Sequence, residues 1–200
     1  MHRLTPEEFR VDLRRSIDTL RQVAGVPVLG YRAPTFSVTR TTAWTADVLA
    51  ESGLKYDSSV FPVRHDRYGI SDAPRTPFWL CGEHGRILEL PPATYRRMGM
   101  NLPVAGGGYF RLFPLSLLRA GVNQLAESDA PGVLYFHPWE FDPVQPRLPL
   151  RRLSAFRTYV GIPKSAERLG RLLTRYRGRF RRAIDVANDL TGEMPEFRLT

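Results

Sequence analysis

Val133, Leu134, Tyr135, Phe136, His137, Pro138, Trp139 and Glu140 (VLYFHPWE, residues 133–140) form the stretch from which the rest of the chain is best read. Val133 to Phe136 is a β-branched and aromatic run entered through Pro131 and Gly132, which predicts a buried strand. Pro138 stops it. His137 therefore sits at the carboxyl end of a strand, the edge where α/β folds collect catalytic groups, with Trp139 and Glu140 on the loop that follows. An imidazole there can give or take a proton near neutral pH. It can equally cap the strand end by bonding to backbone.

Toward the N-terminus, Thr5, Pro6 and Glu8 spell a helix start: a capping hydroxyl, proline at the first helical position and glutamate three residues after the cap. Phe9, Leu13, Ile17, Leu20 and Ala24 recur at helical spacing, and Gly25 stops the helix. Val26 to Tyr31 reads as a short strand. A second helix starts near Thr39 to Thr42, buries Trp44, Val48 and Leu49, and ends at Gly53; Lys55 to Ser58 is a further strand. This alternation with short connections marks a parallel α/β arrangement. A chain that opens on the helix leaves a gap where its first strand belongs, so the expected architecture lacks its first strand or strands.

Phe61 to Arg86 is irregular, with Pro62, Gly69, Pro74, Pro77, Gly82 and Gly85 precluding long elements. Ile87 to Leu90 is strand-like, Pro114 to Ala126 helical, and a proline-rich loop (Pro143, Pro146, Pro149) leads to a last helix over about Pro163 to Tyr176 with Leu169, Leu172 and Leu173 inward. The expected organisation is one domain over residues 1–176 and a basic tail over 177–200, partly disordered.

Two hundred residues with 42% hydrophobic content support a single ordinary core. One cysteine, Cys81, excludes an internal disulfide framework and a cysteine-cluster metal site. The chain shows no signal-peptide pattern and no apolar run of membrane-spanning length, giving a cytoplasmic expectation. Net charge is +9, with Arg168, Arg171, Arg175, Arg177, Arg179, Arg181 and Arg182 as the densest cluster. Without aromatic interleaving or a nucleic-acid motif, that cluster reads as a solvated face and predicts no specific nucleic-acid partner.

Several other residues bear chemistry. Arg32 follows a strand and precedes Ala33 and Pro34, so its guanidinium can clamp a carboxylate, or stand as one more surface arginine. Asp57 at the next strand end can orient an imidazole or cap the following turn. The triple glycine Gly106 to Gly108 lacks the Lys-Ser/Thr sequel of a phosphate loop and fits positive φ angles or a close backbone approach. Ser58 or Ser59 with His137 lacks a glycine-flanked nucleophile elbow. His2, His65, His84 and His137 lack the close spacing of a ligand pair.

Taken together, GYRAPTFS (30–37), YDSSVFPVRHDRYG (56–69), NLPVAGGGYFR (101–111) and YFHPWE (135–140) resemble the polysaccharide deacetylases of the NodB-homology class, in particular the subgroup linked to exopolysaccharide and exosortase loci. The resemblance spans about Thr5 to Tyr176. It implies a distorted (β/α) barrel and metal-dependent hydrolysis of an N-acetyl group on a sugar of a polysaccharide or lipid-linked oligosaccharide, the divalent metal in the intact family being usually zinc. It implies His137 as general acid, Arg32 as the arginine positioning a basic aspartate, and Asp57 as the carboxylate tuning the acid histidine. Pro34 then shapes the groove, and Tyr31, Tyr109 and Trp139 face the sugar.

The family's first motif, a strand end with two aspartates carrying the base and a metal ligand, has no counterpart in the 200 residues. Of its histidine-pair motif only His2 is a candidate, and one histidine cannot hold zinc with the usual three protein ligands. The expectation is a partial barrel missing its N-terminal part, inactive or nearly so by itself. A non-catalytic glycan-binding or scaffold remnant is the alternative.

Overall fold

The capping residues of the first helix do what their spacing predicts. In the computed structural model, which describes residues 1–65 and 68–199, Thr5 Oγ1 accepts from Glu8 N and the Glu8 carboxylate accepts from Thr5 N (2.8 Å), closing a capping box. Gly25 ends the helix in the left-handed region, φ 67°.

In chain order the elements are α1 (Pro6–Ala24), β1 (Gly30–Tyr31), α2 (Thr45–Glu51), β2 (Tyr56–Asp57), β3 (Phe78–Cys81), β4 (Arg86–Glu89), β5 (Thr94–Arg97) and β6 (Met100–Pro103). There follow α3 (Gly107–Leu112), α4 (Leu115–Glu127), α5 (Arg152–Tyr159), α6 (Ile162–Arg175), α7 (Ala183–Asp189) and β7 (Glu196–Arg198). They divide into two compact units, residues 1–92 with 182–200, and residues 93–181.

The first unit is a mixed α/β body. Its five-stranded sheet runs in the order β1-β2-β4-β3-β7, with β1, β2 and β4 parallel and β3 antiparallel to β4. Phe9, Leu13 and Ile17 of α1 and Val48 and Leu49 of α2 enter one buried cluster with Phe78, Leu80 and Ile87 from the strands. Leu20, expected inward, is 52% exposed: the apolar stripe of α1 outlasts the two-residue strand beside it. The second helix also starts later than its sequence suggests, because Arg40–Thr42 closes a separate 3-10 turn first.

Two further readings need correction here. Phe61 to Arg86, two of whose residues (Asp66 and Arg67) lie outside the described set, contains β3: Pro77 and Gly82 bracket the four-residue run FWLC rather than interrupt it. The segment read as a partly disordered tail carries α7 and β7, and β7 pairs in parallel with β3. Phe197 meets Phe78 edge to face at 5.7 Å and Leu199 is buried, so two apolar side chains anchor the end of this basic segment.

The second unit is built on the β5-β6 hairpin, turned at Met98 and Gly99 with φ 48° and 78°. Helix α4 lies against it so closely that a Cβ on Gly121 would meet the Val104 side chain and Tyr95 Cβ. The expected strand at Val133 to His137 is extended but joins no ladder. It is held at alternate residues, Val133 O accepting from Ala93 N (3.0 Å) and Tyr135 N donating to Ala105 O (2.9 Å), at the two ends of the hairpin. Helix α5, absent from the sequence reading, has no buried residue and so leaves no apolar period to detect. In α6, Leu172 is buried while Leu173 is 44% exposed.

Candidate functional site

In the first unit the chemistry gathers where the parallel strands end. Arg32 follows β1, Asp57 ends β2 and Glu89 ends β4, and register pairs Tyr31 with Asp57 and Asp57 with Glu89. The guanidinium of Arg32 donates through Nε to Ser58 O (2.9 Å) and through a terminal nitrogen to Ser58 Oγ (2.6 Å). Ser58 Oγ in turn donates to Leu90 O (2.6 Å), and Ser59 Oγ receives Ala33 N (2.7 Å). The two serines thus stitch the ends of the three strands together.

Asp57 and Glu89 are completely excluded from solvent. Asp57 Oδ1 accepts from Ser58 N (2.8 Å) and Ser59 Oγ (2.5 Å), and Glu89 Oε1 accepts from Val60 N (2.9 Å). Burial pushes the Asp57 carboxyl up to about 6, against the hydrogen bonds and the Arg32 charge that favour its ionised form. Burial and the neighbouring Asp57 charge push Glu89 well above the usual carboxylate range. Burial also raises the Tyr31 phenol.

Tyr31 and Arg32 line a cavity of about 180 Å³ beside α1, together with Asp12, Ser16 and Val28. Pro34 opens a 3-10 turn in which Thr35 and Phe36 take φ 56° and 53°. Two successive non-glycine residues in the left-handed region are costly, and such strain concentrates where a loop's shape serves a purpose.

In the second unit His137 is exposed. Its ring meets Tyr135 edge to face at 5.8 Å and lies nearly parallel to Trp139, 16° between planes and 6.1 Å between centroids. Beneath this exposed layer lies an ion pair: Arg111 Nε donates to Glu140 Oε1 at 3.0 Å, the side chains 3% and 1% exposed. The other Glu140 oxygen accepts His137 N (2.9 Å), which fixes the backbone carrying the imidazole. Arg111 also donates to the carbonyls of Thr158 (2.6 Å) and Val160 (3.0 Å), and its guanidinium lies 5.0 Å from the Trp139 ring. Tyr109 is half-buried against Phe113 at 5.6 Å.

The close approach expected of the triple glycine is found at Gly106, where an added Cβ would overlap Tyr135 O. Of the arginine cluster, Arg168 turns inward to the carbonyls of Phe110 and Phe113, Arg171 pairs with Glu167 and Arg182 with Asp185.

The predicted residues therefore divide between the units: Tyr31, Arg32, Pro34 and Asp57 in the first, Tyr109, His137 and Trp139 in the second. Sequence reading missed Glu89, Arg111 and Glu140 as partners. The signals were present: a glutamate inside the apolar run ILEL, and an arginine and a glutamate inside motifs already singled out.

His2 is exposed with Nδ1 3.4 Å from Thr41 Oγ1, and among the described residues no group of three or more His, Cys, Asp or Glu is placed to hold an ion. The described residues do not fit the zinc site that the resemblance implies. Among the described residues, too, no helix is long and apolar enough to cross a membrane.

Comparison with known proteins adds the following. The family model described as "Domain of unknown function (DUF3473)" matches residues 58–187, which takes in Glu89, Arg111, His137 and Glu140. A search of curated proteins gives no match. A solved structure described as "Crystal structure of putative polysaccharide deacetylase from Mycobacterium smegmatis" is 23% identical with a TM-score of 0.45, over 84% of this chain and 58% of that one. The chain thus spans little more than half the length of that protein.

Proposed function

We propose, for a chain that belongs to the DUF3473 family, that it carries the general-acid half of a hydrolytic sugar N-deacetylase. The observation behind this reading is the setting of His137: an exposed imidazole on a backbone tied to a buried ion pair, beside the exposed face of Trp139. A rigid base under a solvent-facing proton donor is what acid catalysis requires. Aromatic faces beside it suit the apolar face of a sugar ring.

In this role a base takes a proton from water as its oxygen bonds to the acetyl carbon, the His137 imidazolium gives its proton to the nitrogen as the C–N bond breaks, and the acetic acid so formed loses its proton to solvent, leaving acetate and the free amine. Arg32 and Asp57 take the parts that the motif resemblance gives them, positioning the basic aspartate and tuning the acid. Tyr31 and Pro34 in the first unit, and Tyr109 and Trp139 in the second, take the sugar-facing parts that the motif resemblance gives them. The substrate class is an acetylated amino sugar in a polysaccharide or its lipid-linked precursor, in exopolysaccharide biosynthesis. The base and the metal ligands are assigned to residues other than these 200, since the described residues offer no ligand cluster. The architecture that goes with this is a (β/α) barrel; β1, at the edge of its sheet, is where a further parallel strand would pair.

The same missing ligand cluster favours a second reading, a glycan-binding module without chemistry. The deciding experiment measures acetate released from an N-acetylglucosamine oligomer by the gene product isolated from its own cells, with its intact mass. The proposal expects a mass well above 22.8 kDa and activity that His137→Ala lowers about 10²–10⁴-fold without loss of fold. Activity unchanged in His137→Ala overturns it. Saturable oligomer binding without acetate release establishes the second reading instead.

A further inference from the structure

Asp57 and Glu89 face each other across adjacent parallel strands, where register partners lie about 4.8 Å apart and project to the same side. Each carboxyl has one oxygen satisfied by N–H or O–H donors. The other two oxygens, Asp57 Oδ2 and Glu89 Oε2, are buried without a donor. Two carboxylates cannot bond each other, because both only accept. Two adjacent charges in a site without water would cost several kcal/mol each in lost hydration. One proton placed between them removes one charge and satisfies both orphan oxygens in a single O–H···O bond.

We infer that Asp57 and Glu89 share one proton at neutral pH, with Glu89 as the acid and Asp57 as the anion, so that Glu89 is a positioning residue for Asp57. Donor count sets the direction. Asp57 Oδ1 receives two donors against one on Glu89 Oε1, so the charge is better solvated on the aspartate. Burial pushes both carboxyls upward, as one retained proton requires. From the neighbouring strand the groups acting on the pair are the Arg32 cation, which matches its single negative charge, and the Tyr31 phenol.

Only the catalytic consequence rests on the deacetylase reading: Asp57 stays the anion that this reading asks of it because Glu89 keeps the proton. The pair itself is tested without substrate. Carbon-13 NMR of the full chain with labelled Asp and Glu carboxyls should show one glutamate carboxyl still protonated at pH 7. That resonance should vanish in Glu89→Gln, whose amide N–H still donates to Asp57 and preserves the fold. Glu140, also wholly buried among the described residues, is distinguished by its ion pair with Arg111 and is unaffected by the Glu89 substitution. A folded wild-type chain with every glutamate ionised at pH 7 overturns the inference, and this measurement decides even if the variant fails to fold. An inactive protein that shows the resonance loses the deacetylase reading alone; an active one without it loses the shared proton alone.

Discussion

Arg111 and Glu140 form a buried ion pair at 3.0 Å whose second carboxylate oxygen holds the backbone N–H of His137. The glycine-rich motif and the HPWE motif thus meet as one structure: the arginine of the first neutralises the glutamate of the second, and that glutamate fixes the histidine.

Glu140→Ala leaves the Arg111 guanidinium buried without its anion and frees His137 N. Removing one partner of a buried pair costs about 3–5 kcal/mol. A urea melt of the variant should show that loss, whereas His137→Ala, at an exposed position, should fall within about 0.5 kcal/mol of wild type.

Gly106→Ala forces a Cβ into Tyr135 O and must displace the extended segment leading to His137, at a cost of about 1–3 kcal/mol. At Gly108 the nearest atom to an added Cβ is a terminal nitrogen of Arg111 at 3.9 Å, so Gly108→Ala should be neutral or stabilising by about 0.5–1 kcal/mol as a helix substitution. Thermal melts of the two single variants separate backbone fit from composition.

Stability should carry a pH signature from the acid pair. Unfolded Asp and Glu titrate near 3.8 and 4.5, while folded Asp57 is raised to about 6 and Glu89 further. The folded state therefore holds more protons. Its contribution is complete below pH 3.8, is lost as pH rises through about 6, and declines again where Glu89 ionises. Asp47 acts oppositely: although burial pushes its carboxyl up, donors from Glu83 N, His84 N and Gly85 N outweigh that and lower it, so its contribution fades in acid. Urea midpoints of wild type minus Glu89→Gln, followed across this range, isolate the pair; a difference that does not change with pH would contradict the assignment.

Thr5→Ala should cost about 1 kcal/mol, because it removes the acceptor for Glu8 N and opens the capping box of α1. Thr5→Ser should restore most of it. Thermal unfolding of the two variants checks this.

Local grammar was legible wherever one residue's chemistry decides the backbone. Thr5 with Glu8, Gly25 as a left-handed stop and the apolar spacing of Phe9, Leu13 and Ile17 all act within a few residues of one another. The motif tetrad singled out His137, Arg32 and Asp57 as candidates without any fold. The sequence did not reveal strand β7, because its pairing with β3 crosses more than a hundred residues, nor α5, whose exposed faces leave no period. It could not show that Val133 to Phe136 stays outside a ladder, since that depends on which backbone groups the hairpin ends present.

By itself, then, the order of residues determined the limits of α1 and the parallel run of β1 and β2 around α2, which follow from short-range sterics, hydrogen bonding and the alternation of helix with strand. Tertiary structure alone decided the partners. Register sets Glu89 beside Asp57 in a site closed to water, which pushes it well above the usual carboxylate range, and the fold brings Arg111 against Glu140. The charge of a buried carboxyl depends on its neighbours and its dielectric, and neither is written in the residue.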